Sequence, residues 1–349
     1  MHTFFAQIRA GLFLLTVSAL TAGTVQAEEP MHPYHHHQNL HDHSGHQAPV
    51  GVMGDHRHKK GEWMVSYRYM YMDMDETDIG SAEVSTARVL SEFPVAPLSM
   101  DMDMHMVGAM YGVTDEITVM LMIPYLDKSM DHRTRMGAEF TTGSSGLGDI
   151  KLSGLFSVYE QGAHRLDLNF GLSFPSGSID ERDRTPMGPD QLLPYPMQLG
   201  SGTYDLHPGF TYAGHHDRLS WGLQFMTVQR LGENDRDYTL GNRYEGSSWI
   251  SYQLADWVRG SVRIRKTVWQ DIDGADPELN PNMVQTADPT RQAGKRWDAL
   301  FGVDFNGPAD SIFAGQRLGL EWGIPIDVDV NGPQLVSDTE LTVGWQITW

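Results

Sequence analysis

The chain has 349 residues, with 20 Met, 36 Gly, 16 His, no Cys and a formal charge of −20. That acidity argues against nucleic-acid binding, which needs basic patches, and the absence of Cys leaves no disulfide framework to read. Past the leader, no stretch comes near 18 consecutive apolar residues, so no transmembrane helix is expected.

The first 27 residues have a cationic start at Arg9, an apolar core from about Gly11 to Leu20, and small residues at Val25 and Ala27. They read as a secretory signal peptide (1–27), with the mature chain starting near Glu28. Residues 28–61 are polar, carry nine of the 16 His and show no apolar periodicity, and read as a flexible His-rich tail.

From residue 62 to 349 the period is 2. Twelve alternating runs are expected near 63–74, 100–113, 116–130, 147–159, 164–174, 201–212, 219–229, 247–254, 257–270, 296–305, 316–324 and 339–349. Tight turns such as "VTDE", "EQGAH", "GHHDR" and "LADW" follow the even-numbered runs, with a longer join after the tenth. Long polar loops follow the first, third, fifth, seventh and ninth. Short turns at one end and long loops at the other predict an all-β, up-and-down transmembrane barrel in the outer membrane, with both termini periplasmic. A soluble sandwich also alternates, but accounts neither for the loop asymmetry nor for Trp63, Trp221, Trp257, Trp297 and Trp349 at strand ends, which match interfacial girdles.

The lipid face fixes the register. In "EITVMLMIPY" the set Ile117, Val119, Leu121, Ile123 and Tyr125 faces out, leaving Met120 and Met122 inward. In the first run Trp63, Val65, Tyr67, Tyr69 and Tyr71 face out, leaving Met64, Arg68, Met70, Met72 and Met74 inward. In "SMDMDMHMVGAMYG" Val107, Ala109 and Tyr111 face out, leaving Met100, Met102, Met104, Met106 and Met110 inward. Asp73, Asp75, Asp101 and Asp103 face out and belong above the hydrocarbon, where a carboxylate is tolerable.

Three readings of this thioether patch stand side by side: packing filler, a greasy lining for hydrophobic small molecules, and soft-metal capture, since thioethers prefer Cu(I). His105 and His132 near the same rim favour the metal reading. So does the tail, whose His35, His36, His37, His41, His43 and His46 suit Cu(II), Zn(II) or Ni(II), although no fixed spacing orders them. No cofactor is required; copper is the ion the residue types suggest.

A second inward set is charged: Arg68, Lys151, Arg165, Asp167, Asp205, Arg259, Arg263, Arg265 and Asp298. Such charges either pair across the lumen or set a transverse field that filters solutes. With long side chains of both signs inside, the lumen is expected to be partly occluded. "DIDGADPE" has acid spacing but not an EF-hand register, and reads as a solvated loop. No G-x-S-x-G and no paired outer-face Ser and His occur, so no enzyme is expected.

The segments "VGVMGDHRHKKGEWMVSYRYMYMDMD", "FTTGSSGLGDIKLSGLF", "LGSGTYDLHPGFTY", "IDGADPELNP" and "GPQL…LTVGWQ" resemble a family of bacterial outer-membrane β-barrel proteins. That family is named after the meta-cleavage pathway of phenol degradation and is often labelled "transporter". The resemblance implies a barrel in the outer membrane and passage of small molecules; the expected partners are the outer-membrane bilayer, a small solute or metal ion, and the barrel-assembly machinery for insertion. It supplies no binding residues. The expectation is therefore a channel for small solutes, with a soft metal as preferred cargo. Hydrophobic aromatics are the runner-up, and a non-conducting metal-binding barrel is the third possibility.

Overall fold

The computed structural model describes residues 47–349. All twelve expected runs form strands. β1 (Trp63–Met74) leads into a short excursion of β2 (Glu76–Gly80), β3 (Ala82–Glu83) and one helix, α1 (Thr86–Glu92). β4 (Val95–Gly112), β5 (Ile117–Thr134), β6 (Glu139–Leu147), β7 (Lys151–Gln161) and β8 (His164–Ser173) follow. A loop hairpin, β9 (Arg182–Thr185) with β10 (Gly188–Leu192), precedes β11 (Tyr204–His216) and β12 (Leu219–Leu231). The rest of the wall is β14 (Arg243–Ala255), β15 (Val258–Trp269), β17 (Gly294–Asn306), β18 (Gln316–Val336) and β19 (Thr339–Thr348). Two loop strands, β13 (Tyr238–Thr239) and β16 (Asp273–Gly274), pair with each other above the wall.

Each wall strand pairs antiparallel with its neighbours, and β1 closes the circle against β19. Closure satisfies every ladder group, which is what allows strands to stand in hydrocarbon. β6 pairs the upper part of β5 and β7 the lower part, so the fourth wall strand is broken at 148–150. Among the described residues no helix is long and apolar enough to cross a membrane. The outward side chains form an apolar belt that includes Val107, Leu121, Leu168, Phe170, Ile250, Val262 and Phe301, all exposed on the barrel surface. Trp63, Trp257, Trp297 and Trp349 are likewise exposed. Trp63 and Trp349 exchange backbone hydrogen bonds of 3.0 Å, which brings the first and last wall strands together at the short-turn end.

Two features differ from the expectation. The polar stretch up to Gly61 is not tail throughout: residues 47–61 enter the periplasmic half of the lumen, with Ala48, Val52, Asp55 and His58 buried. The earlier part of the tail, with His35, His36, His37, His41, His43 and His46, lies outside the described residues, as does the expected signal peptide. The "DIDGADPE" loop is mostly exposed, as expected of a solvated loop, but Ile272 and Asp276 turn inward. Asp276 is buried, its N–H donates to the Tyr195 hydroxyl at 3.1 Å, and its carboxylate takes the Arg236 guanidinium.

Candidate functional site: the lumenal chamber

The methionine stripe forms where β1, β4 and β5 run side by side. Met70 lies opposite Met104, Met72 opposite Met102, Met74 opposite Met100, and Met64 opposite Met110. Across the next ladder Met110 faces Met120 and Met100 faces Met130. Period 2 holds these side chains on one face, and that face is the lumen.

Their surroundings divide them into three groups. At the periplasmic end Met64, Met106, Met110, Met120 and Met122 are buried with Leu155 against Met53 of the N-terminal segment. At the extracellular end Met100 and Met130 are buried against Leu193 and Met197 of an inward-folded loop, with Met74 beside them. These two groups are packed core, for which methionine's adaptable shape is sufficient reason. Between them Met70, Met72, Met102 and Met104 are only half-buried and line open space.

His105 does not belong to this set. It has the opposite parity, lies on the outer surface, and its Nδ1 is 2.7 Å from the Tyr67 hydroxyl. A residue at an odd position of this strand faces the lipid side, so a lumenal metal site cannot include it. Asp101 and Asp103 face the same way and accept from the hydroxyls of Tyr71, at 2.6 Å, and Tyr69.

The open space consists of two cavities that share Met70, Met104, Arg243, Arg265 and Glu340. The upper measures about 720 Å³ and the lower about 450 Å³. One wall is thioether. The remainder is charged: seven cations (Arg68, Lys128, Lys151, Arg230, Arg243, Arg265 and Arg296) and three anions (Asp149, Glu245 and Glu340) line the pair of cavities.

Every charge expected inside lies on the lumen face, and most are paired. Arg263 grips Glu321 with two hydrogen bonds, of 3.0 and 2.6 Å. Arg265 grips Glu340 likewise, at 3.1 and 2.6 Å, and also reaches Asp298 at 3.0 Å. Arg296 shares both of those carboxylates. Asp205 takes Arg230, and Asp167 takes Arg57 at 2.6 Å. The Arg263–Glu321 and Arg265–Glu340 pairs are bidentate, a geometry that offsets part of the cost of burying both charges. The sequence reading missed Asp304, Glu321, Glu340 and Arg317. Their parity was available: Arg317 and Glu321 alternate with Leu318, Leu320 and Trp322 in "RLGLEW".

The floor of the chamber is the N-terminal segment. Lumenal donors hold its backbone: Arg317 reaches the carbonyl of Ala48, Arg165 that of Asp55, and Gln224 that of Met53 at 2.9 Å. Arg57 ties it to Asp167 and Glu160. The ceiling is the loop around Tyr195–Met197. Lys128 donates from the wall to the carbonyls of Pro196 and Gln198, at 2.8 and 2.6 Å. Outside the membrane Arg236 and Arg182 clasp Glu278, and those hydrogen bonds hold its carboxyl down to about 2.

A closed twelve-stranded barrel with an apolar outer belt and a charged interior is an outer-membrane protein. The chain is similar in fold to the COG4313 outer membrane channel from Pseudomonas putida F1, at 16% identity and TM-score 0.58, over 85% of this chain and 98% of that one. A weaker likeness is to the NanC porin, at 9% identity and TM-score 0.39, over 82% and 98% of the two chains. No family model and no curated protein matches the chain, so the resemblance to the phenol meta-cleavage family rests on the quoted segments alone.

Proposed function

We propose that the protein is an outer-membrane channel for small solutes and that the chamber is its selective element. The similarity in fold to an outer membrane channel supports the general reading. The observation that carries the finer one is the half-buried set Met70, Met72, Met102 and Met104, two cross-strand pairs of thioethers turned into open space. In a chain without Cys these are the soft ligands, and they suit Cu(I) or Ag(I). The packed methionines above and below need no such explanation.

Changing the four together to Leu keeps volume and apolarity, so folding should survive at a cost under about 1.5 kcal/mol per site. The variant should migrate as a folded barrel yet lose binding of Ag(I) or Cu(I). Unchanged binding in a folded variant would show that the stripe is only packing.

A further inference from the structure

Three of the chamber's cations have no carboxylate partner among the described residues. Lys128 is buried, and its ammonium meets only two backbone carbonyls. Lys151 lines the lower cavity and makes no ion pair. Arg68 lines the same cavity, and its buried Nε has no hydrogen-bond partner. Elsewhere in the lumen the chain supplies carboxylates generously, and over its whole length it carries a charge of −20. Asp55 and Glu321 act on Arg68, Glu181 on Lys128 and Glu245 on Lys151 only from beyond ion-pair distance. Holding three cations in a low-dielectric interior without a contacting carboxylate is costly, and in a membrane protein such groups mark the path of an ion.

We infer that the chamber selects anions with a soft or apolar body, the charge drawn by Arg68 and Lys151 in the lower cavity and by Lys128 in the upper, and the body lying on the thioether wall. This rests on the channel reading and narrows its cargo. A bare metal cation entering this field is repelled, so a soft metal would have to arrive inside an anionic complex. An organic anion of similar size presents the same chemistry. The field acts over the whole cavity because low-dielectric walls focus it.

The test uses the full chain. In planar bilayers under a KCl gradient, the reversal potential should show chloride preferred over potassium by roughly tenfold, the low end of what focused fields do to ion capture. Lys151→Glu should abolish that preference. Detergent-solubilised protein should bind hexanesulfonate but not hexyltrimethylammonium, and Ag(I) as its anionic thiosulfate complex more tightly than Ag(I) as nitrate. Binding of the thiosulfate complex without hexanesulfonate would make the cargo a metal complex; the reverse would make it an organic anion.

Potassium selectivity, or equal binding of the two hexyl probes, would overturn the inference and leave the channel reading intact. A barrel that passes no current yet binds hexanesulfonate, and loses it in Lys151→Glu, would overturn the channel reading and keep the anion chamber.

Discussion

Asp338 occupies the tight turn between β18 and β19 at the extracellular end. Its amide donates to the Asp73 carbonyl at 2.9 Å, and its carboxylate accepts the Asp75 amide at 2.9 Å. Burial, reinforced by the neighbouring Asp75 and Glu76, raises its carboxyl from the ordinary 3.8 to about 7. The folded corner therefore holds a proton that the unfolded chain has released, and the stability this contributes is lost as pH rises through about 7. Amide-exchange protection at Asp75 and Asp338 should fall between pH 5 and pH 8, and Asp338→Asn should remove that dependence. A wild-type corner equally protected at both pH values would count against the raised carboxyl. The residue scale is also where the sequence was most legible. Parity alone assigns Met104 and Met106 to the lumen and His105 to the outside, because side chains alternate strictly along a strand. Proximity in sequence misled where parity did not.

Among the elements, strands such as β1, β8 and β15 were legible end to end, whereas the upper parts of others were not. β5 runs to Thr134 and β18 to Val336, well past the expected 130 and 324, and β6 was not expected at all. The reason is physical. Above the membrane the outward positions of β5 are Asp127, Ser129, Asp131 and Arg133, so both faces are polar and the hydrophobic period disappears while the ladder continues. The N-terminal segment was illegible for a related reason. It has few apolar residues and is held by its backbone, through donors that only the assembled barrel brings together. Its exit requires Gly112, where a Cβ would stand 1.9 Å from the Lys59 carbonyl. Arg57 is its main charged tie. Arg57→Met should weaken the segment's hold by about 3 kcal/mol, the low end for removing one partner of a buried pair. Exchange at residues 47–61 should quicken and solute leak from vesicles should rise, while the barrel stays folded. Unaltered exchange there would mean that the carbonyl contacts hold the segment without Arg57.

For the whole molecule, barrel closure and the occupied lumen are separable. All twelve wall strands lie within 63–348, and the closing pair β1 and β19 uses nothing upstream of Trp63. The lumen, by contrast, depends on the segment before the first strand, in which the carbonyl of Gln47 accepts from Arg259 at 3.3 Å. Removing Met31–His46 therefore takes away the tail histidines and keeps every contact of the wall and the chamber floor made between described residues. Such a protein should still insert and keep the heat-dependent shift in gel migration of a folded barrel, because closure of the strands is what resists denaturation. Its conductance and its binding of Ag(I) as the thiosulfate complex should match those of the full chain, since the four half-buried methionines and the three unpaired cations remain in place. If the truncated chain fails to insert, the tail takes part in folding. If it inserts but no longer binds the complex, the histidines rather than the thioether wall hold the metal, and the chamber loses its claim to be the soft-ligand site.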